Sequence, residues 1–530
     1  MSAEQKVQKI KANGITEGSI FGQLLLVFFP ILFGTFFQQL YNTADAVVVG
    51  RFVGKQALAA VGGTTSTLIN LMVGFFVGLS SGATVVISQY YGAKKADKVH
   101  WAVHTSVAFS VIGGVLFMAV GLVGARWALT AMHTPEDVMD HAVTYIRIYF
   151  LGMVPNLLYN MGAGILRAVG DSRRPLYFLI GSCFVNIILD VVLVAVRRMG
   201  VAGAALATII GQIVSGIMVI IYLTRFKTVH LTFDYLRPIP SHIKAIISLG
   251  MAPFFNQIAM MVVQIVMNNV LRYYGGQSHY GSEIPLACAG IISKVNMIFF
   301  SLVIGLSQGL QPIVSFNYGA GKYRRVRSAY LKAVCIATCI SSVSFLCFQL
   351  IPRQIISIFG SGSEEYFRFA EQYFRIFLFF TFLNGLQPIT ANYFTSIGKA
   401  GTGIFISLTR QIIFLLPLIL ILPMFLGIEG VMYSAPVADL MAAVLAVFFV
   451  SRELKRMKQM EHLSEALGCL KVSVPEISAT SEIIITLGAP ELRENDVKTQ
   501  VFNLLNQAEI PYMEKVAIMD RCSGSEPDVR

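Results

Sequence analysis

One apolar stretch near the start of the chain contains the polar side chains best placed to do chemistry. Between residues 20 and 49 the only formally charged residue is Asp45. Gln38, Asn42 and Asp45 fall at positions i, i+4 and i+7, so a helix presents all three on one face. A carboxylate inside a membrane usually marks an ion or proton pathway, because it is unfavourable there unless paired, hydrated or protonated. The structural alternative is an acid near a helix end that reaches the interface or bonds to a neighbouring helix.

Two later apolar stretches add further oxygen-bearing side chains. Asn186 and Asp190 lie at i and i+4, and Thr208 contributes a hydroxyl in the next stretch. Together with Asp45 they supply hard oxygen ligands, which suit Na⁺ or a shared proton. Two carboxylates held close together repel each other, and a bound cation or proton relieves that repulsion. No His or Cys joins the set and the seven cysteines lack metal-ligand spacing, so no transition metal is expected.

Membrane-spanning helices are the elements that must position these residues. The 530-residue chain is 55% hydrophobic and only 13% charged, with a mean hydropathy of +0.67, whereas ordinary soluble domains are about 25% charged. About 20 apolar residues suffice to cross the hydrocarbon, and the sequence predicts twelve spans in an all-α integral membrane protein. The predicted spans are 20–49, 56–93, 99–125, 148–166, 175–196, 199–224, 245–271, 295–321, 333–352, 376–398, 400–428 and 430–451.

The charges outside the spans indicate the topology. Basic residues are concentrated in every second loop, and the intervening loops are richer in acids. This distribution is typical of cytoplasmic loops and places both termini in the cytoplasm, as twelve spans require. The net charge of +12 therefore reports topology and not nucleic-acid binding. The first span is longer than a signal-peptide core, so we expect it to remain in the mature protein.

The chain contains an internal repeat. A shift of 227 residues aligns residues 78–93 with 305–320, with identity at 8 of 16 positions. The same shift aligns residues 200–203 with 427–430, and Gly170 meets Gly398 one residue out of register. Six spans per half keep both copies in the same orientation, which is the parallel-repeat arrangement found in alternating-access transporters.

Several of these motifs resemble the MATE (multidrug and toxic compound extrusion) family. The resemblance rests on the Tyr-Asn-Thr-Ala-Asp-Ala run at 41–46, on Asn186 and Asp190, and on the Tyr-Gly-Ala sequences at 91–93 and 318–320. It covers about residues 15–458 and is closest to the branch named for DNA-damage-inducible protein F.

The resemblance implies two pseudo-symmetric six-helix bundles around a central cavity, in a multi-pass protein of the bacterial inner membrane. It implies a transporter and not an enzyme, exporting amphipathic, often cationic compounds against inward Na⁺ or H⁺. No other cofactor is expected, nucleic acid is not a partner, and a monomer in the lipid bilayer is expected. Carried over by position, the cation-coupling residues are Asp45, Asn186, Asp190 and Thr208, and the family's bending first-helix proline corresponds to Pro30.

The predicted domains and cavity follow from this resemblance. The domains are an N-terminal cytoplasmic segment (1–19), an N-lobe (20–224), a cytoplasmic linker (225–243), a C-lobe (244–458) and a cytoplasmic tail of unknown role (459–530). Met, Phe, Tyr, Gln and Asn side chains should line the substrate cavity, since they combine adaptable apolar contact with a few polar anchors. The predicted lining residues are Gln38, Gln39, Asn42, Asn156, Asn160, Met161, Gln257, Met261, Gln264, Asn268 and Gln387.

A second branch of the family uses acids in the C-terminal lobe, but residues 245–271, 284–321 and 376–398 contain neither Asp nor Glu. Coupling through the N-lobe is therefore favoured. Asp439 is the exception, and we interpret it as structural, paired with Arg410 or Lys294. The tail resembles a strand at 482–487, a helix at 494–508 and a strand at 514–519.

Three alternative functions are less consistent with the sequence. A lipid-linked oligosaccharide flippase of the same wider superfamily would need several basic residues in its cavity, and the N-lobe spans offer few besides Arg147 and Arg167. An ATP-driven pump or enzyme is disfavoured because the sequence lacks a Gly-x-x-x-x-Gly-Lys-[Ser/Thr] phosphate loop. A channel is disfavoured because two repeated halves suit alternation around a central site.

Overall fold

The computed structural model describes residues 19–132, 134–226, 228–232, 235–359, 363–472, 485–487 and 489–492. Almost all of them are helical. The helices are α1 (Ile20–Phe52), α2 (Lys55–Gly62), α3 (Thr64–Gly92), α4 (Ala96–Ala131), α5 (Glu136–Leu151), α6 (Met153–Ala168), α7 (Arg173–Asp190), α8 (Gly200–Thr224), α9 (Pro240–Gln277), α10 (Glu283–Gly319), α11 (Tyr323–Leu350), α12 (Pro352–Phe359), α13 (Glu364–Phe377), α14 (Leu386–Ser396), α15 (Ala400–Leu408), α16 (Leu416–Leu426) and α17 (Ile428–Val472). π-Helical turns at Val191–Val196 and Thr409–Leu415 extend α7 and α15.

Within these described ranges, ten helical segments are long and apolar enough to cross a membrane. The other two predicted spans are present as broken helices. In the first half, α5 and α6 are 16 residues each and meet at Gly152. In the second half, a 3-10 turn at Thr381–Leu383 separates α13 from α14. The breaks occupy corresponding places in the two halves, so the twelve-span architecture is retained.

Gln212 on α8 packs against the first break. A Cβ at position 152 would lie 2.4 Å from Gln212 Oε1. A residue larger than glycine at this position would therefore require the end of the Gln212 side chain to move.

The two halves repeat in backbone detail. Gly200 and Gly427, which the 227-residue shift aligns, have φ of 62° and 59°. Gly170 and Gly398 have φ of 90° and 86°. Glycine adopts this left-handed region without a steric penalty, so both halves turn at the same points for the same reason.

The structure divides into two compact units. The first comprises residues 1–320 and 328–447, and it contains an N-lobe (α1–α8) and a C-lobe (α9 to Val447). One hydrophobic core lies mainly in the N-lobe and includes Ile246, Leu249 and Phe316 of α9 and α10, and a second lies within the C-lobe. The second comprises residues 321–327 and 448–530. In it, Arg327 Nη1 lies 2.6 Å from Glu461 Oε2, and β1 (Ile485–Leu487) pairs antiparallel with β2 (Ala489–Leu492).

The tail prediction is met only in part. β1 falls within the predicted strand at 482–487. The predicted helix at 494–508 and strand at 514–519 lie outside the described residues. The last helix, α17, continues past position 458 to Val472, and the domain boundary between 458 and 459 stays a prediction.

The N-lobe and C-lobe meet closely at the ends that the basic loops place in the cytoplasm. At the end of α3, a Cβ at Gly92 would lie 2.0 Å from the carbonyl oxygen of Phe316, and a Cβ at Gly319 of α10 would lie 2.1 Å from that of Gln89. Nearer the middle of α3, Gln311 Nε2 donates to Ser81 Oγ at 2.6 Å. Small residues allow this backbone contact, and it closes the cytoplasmic side of the interface between the lobes.

Candidate functional site

The structure brings Asp45, Asn186, Asp190 and Thr208 together inside the N-lobe. They come from α1, α7 and α8, and none is more than 5% exposed. Thr208 Oγ1 donates to Asp45 Oδ2 at 3.3 Å. The side chains of Asn186 and Asp190 are close enough to interact with the Asp45 carboxylate. We call these four residues the acid cluster.

Most polar atoms of the acid cluster lack a hydrogen-bond partner among the described residues. The unpartnered atoms are Asp45 Oδ1, both carboxylate oxygens of Asp190, and the amide oxygen and nitrogen of Asn186. Buried polar groups are almost always satisfied by protein, water or an ion, and a buried charge without a partner is strongly unfavourable. Four unpartnered oxygens with no basic side chain bonded to them fit a small hard cation or protons.

The local backbone contributes to this arrangement. Asp190 is the last residue of α7, and the π-helical turn Val191–Val196 begins directly after it. A π turn rotates the residues on either side relative to a regular helix and is frequent at functional sites. Asn186 and Asp190 both remain buried on the side of α7 that faces α1 and α8.

Three tyrosines surround the acid cluster, and sequence reasoning missed them as site residues. Tyr41 on α1 and Tyr145 and Tyr149 on α5 are near enough to interact with Asp45. The rings of Tyr145 and Tyr149 stack with centroids 6.4 Å apart. Their i, i+4 spacing was the available signal, but Tyr145 lies before the predicted span at 148–166.

A cavity of about 180 Å³ extends through the N-lobe from the acid cluster towards the cytoplasmic end of α6. Of the predicted cavity residues, Gln38, Asn156 and Asn160 line it, and so does Pro30. The remaining lining residues are Ile31, Gly34, Thr35, Tyr41, Val73, Val77, Tyr149, Tyr159, Ala163, Arg167, Ser172, Pro175, Leu176, Leu179, Ser182, Asn186, Thr208, Gln212, Ser215 and, from α10, Gln308.

Two predicted lining residues are corrected by the structure. Met161 has no exposed surface and packs in the N-lobe core. Gln387 is buried and donates to the carbonyl oxygens of Ile406 and Ser407 at 2.7 and 2.9 Å. Both belong to the packing of a lobe because their helix faces point inward, which their residue type does not reveal.

The other predicted lining residues lie away from this cavity. Gln39 and Asn42 are exposed on α1. The four on α9 are half-buried: Gln257, Met261, Gln264 and Asn268. Gln264 Nε2 donates to Asn268 Oδ1 at 2.9 Å, so part of this polar set is satisfied within its own helix.

Pro30 and Asp439 have different surroundings. Pro30 lies inside α1, which is helical on both sides of it, so the hinge role stays a prediction. Asp439 is paired in the C-lobe, where its Oδ1 accepts from Arg410 Nε at 2.5 Å. Of the two partners considered for Asp439, the structure thus selects Arg410 and not Lys294.

The sequence is similar to a family of known membrane transporters. The family model MatE matches residues 30–192 and 252–421. A probable multidrug resistance protein of Bacillus subtilis, YoeA, is 27% identical over 65% of this chain and 75% of its own length. The multidrug export protein MepA of Staphylococcus haemolyticus is 24% identical over 82% of this chain and 94% of its own.

Solved structures agree. The fold is similar to a solved structure of a multidrug resistance MATE family transporter of the MOP superfamily in an outward-facing conformation. The TM-score is 0.77 at 22% identity, and the match covers 84% of this chain and 99% of the other. A MATE structure in a bent conformation gives 0.79 at 22% identity, covering 86% and 99%. The chain therefore belongs to the MatE family of multidrug efflux transporters, multi-pass proteins of the bacterial plasma membrane that are not enzymes.

Proposed function

We propose that the chain is a secondary-active exporter that couples inward movement of Na⁺ or H⁺ at the acid cluster to outward movement of amphipathic, often cationic compounds. The observation that carries the proposal is the set of unpartnered carboxylate oxygens on Asp45 and Asp190. Two buried acids to which no basic side chain of the described residues is bonded need a cation or a proton to balance their charge.

Alternating access supplies the transport step. The lobes are closed on the cytoplasmic side through backbone contacts between the ends of α3 and α10. Cation binding removes the repulsion between Asp45 and Asp190 and thereby changes how α1 packs against α7 and α8. Because Pro30 interrupts the hydrogen-bond ladder of α1, that change can bend α1 within the cavity that Pro30 lines. The assignment to the DNA-damage-inducible-protein-F-type branch and the monomeric state stay predictions.

Dye efflux from proteoliposomes tests the proposal. The wild type, Asp45→Asn and Asp190→Asn would be compared under a Na⁺ gradient and, separately, a pH gradient. We expect gradient-driven efflux in the wild type and its loss in both variants. A neutral amide neither takes up a proton near neutral pH nor balances the charge of a bound cation. Asp140→Asn, an exposed acid on α5 of the same lobe, is the matched control and should retain efflux. Undiminished efflux in both test variants would refute coupling at the acid cluster.

The flippase alternative has less support. A cavity that holds a pyrophosphate needs several basic side chains, and among the lining residues Arg167 alone is basic. Arg147, the other candidate in the N-lobe spans, is exposed and does not line the cavity.

A further inference from the structure

The cavity that Asn186 and Thr208 of the acid cluster line is also lined by a basic side chain. Arg167, near the end of α6, lines the cavity and donates from Nη2 to Ser80 Oγ at 3.0 Å. Among the described residues its guanidinium is bonded to no carboxylate. The nearest acid in sequence, Asp171, is bonded to Arg174 instead.

The acid cluster is too far away to neutralise Arg167. Asn156 lies at the acid-cluster end, where its side chain interacts with Tyr149. Arg167 follows it by eleven residues on the same helix, which corresponds to about 16 Å at the α-helical rise. An ion pair requires a few ångströms, and none joins Arg167 to Asp45 or Asp190 among the described residues. Of the acid cluster, only Asn186 and Thr208 line the cavity that Arg167 lines.

A second polar group that lines the same cavity also lacks a partner. Ser172 is 4% exposed and lines the cavity, and its hydroxyl forms no hydrogen bond within the described residues. A guanidinium carries five N–H donors in a planar fork that matches a carboxylate or phosphate, and Ser80 accepts from only one of its nitrogens. Arg167 and Ser172 thus offer several unused donors to one small volume.

We propose that Arg167 and Ser172 form an oxyanion subsite, and that the exporter accepts amphipathic compounds carrying a carboxylate or phosphate, zwitterions included. This proposal rests on the exporter function and narrows its cargo. An oxyanion supplies the negative counter-charge that Arg167 lacks. Hydrogen bonds between charged groups are stronger than those between neutral groups. At about 180 Å³ the cavity is smaller than the roughly 300–1,000 Å³ of drug-sized pockets, so it receives the charged end of a larger molecule.

A matched pair of dyes tests the subsite. Rhodamine B has a free carboxylate and is a zwitterion, whereas its ethyl ester is a cation of nearly the same shape. Equilibrium binding of each dye to the purified full-length protein would be measured for the wild type, Arg167→Gln and Ser172→Ala. Arg147→Gln is the control, because it makes the same change at an exposed position of the same lobe.

We expect Arg167→Gln to weaken rhodamine B binding by at least about tenfold, since a charge-assisted contact is lost. Binding of the ester should change by less than about twofold, and Ser172→Ala should give a smaller loss confined to rhodamine B. Equal loss of both dyes would indicate a packing role for Arg167, and either that result or unchanged rhodamine B binding overturns the subsite.

Competition identifies the source of the oxyanion. Phosphatidylglycerol that displaces rhodamine B from the wild type assigns the subsite to a lipid phosphate, and absence of displacement assigns it to soluble organic acids. Dye binding is measured without an ion gradient. If Arg167→Gln weakens only rhodamine B binding but the wild type shows no gradient-driven efflux, the coupling proposal alone would be refuted. Efflux of the ester without any dependence of rhodamine B binding on Arg167 would refute the subsite alone.

Discussion

The N-lobe and the C-lobe are copies of one repeat, yet they treat buried acids in opposite ways. In the N-lobe, Asp45 and Asp190 are close together and no basic side chain is bonded to either in the described structure. In the C-lobe, Asp439 is held by Arg410, and their side chains are 1% and 10% exposed. The C-lobe thus contains its own counter-charge, whereas the N-lobe must obtain one from solution.

The repeat shows where the difference arose. The 227-residue shift aligns Asp439 with Gln212, the residue that fills the space beside Gly152. One lobe therefore has an amide at the position where the other has an acid. A fixed pair such as Arg410–Asp439 gives a lobe that does not respond to ions, and an unpaired set of acids gives one that does.

The largest effect should come from breaking the C-lobe pair on one side only. Arg410→Met leaves Asp439 buried without its partner, and removal of one member of a buried pair typically destabilises by about 3–5 kcal/mol. We expect a lower melting temperature for the purified protein. Arg410→Met combined with Asp439→Leu removes both charges and should recover most of the stability together with dye efflux. A double variant that is stable but inactive would show that the C-lobe pair also takes part in coupling.

The opposite response is expected in the N-lobe. Asp190→Asn removes a buried carboxylate that has no partner, and an unsatisfied buried group of this kind destabilises by about 1–3 kcal/mol or more. Melting of the variant without Na⁺ at alkaline pH should therefore occur at a higher temperature than melting of the wild type.

Ligand-dependent melting sharpens this contrast. If the acid cluster binds Na⁺, the wild type gains about 2.7 kcal/mol at a concentration one hundred times the dissociation constant. Asp190→Asn should show no such gain, whereas Asp140→Asn should match the wild type. Destabilisation by Asp190→Asn under all conditions would contradict the view that the N-lobe acids are held at the expense of stability.

Sequence predicted the parts of the site that depend on spacing and on motifs. Asn186 and Asp190 share a helix face because they are four residues apart. The family motif at residues 41–46 identified Asp45 on α1 as the acid that belongs with them. The sequence could not reveal the break at Gly152, because a broken and a continuous apolar helix have the same composition. Met161 was assigned to the cavity by residue type, but tertiary packing turned its helix face into the core. Partners across the fold, such as Ser80 with Arg167, are set by contacts between helices.

The smallest expected effect concerns the hydrogen bond from Thr208 to Asp45 within the acid cluster. The single hydroxyl proton of Thr208 is shared between Asp45 Oδ2, 3.3 Å from Oγ1, and Ala204 O, 3.1 Å away. Thr208→Val removes the hydroxyl and keeps the branched shape. The loss of one such bond amounts to about 1 kcal/mol, or roughly fivefold in an equilibrium constant.

We therefore expect Thr208→Val to weaken the apparent affinity for the coupling ion about fivefold while the maximal efflux rate at saturating ion is retained. Thr208→Ser keeps the hydroxyl and is the matched control, with an affinity near that of the wild type. Ser407 is a buried hydroxyl on α15 in the other lobe. We expect Ser407→Ala to leave the ion affinity unchanged, because the C-lobe does not contribute to the acid cluster. A fall in maximal rate with unchanged affinity would mean that Thr208 acts on the movement of α8 and not on the ion, because ion binding and helix motion contribute to different kinetic parameters.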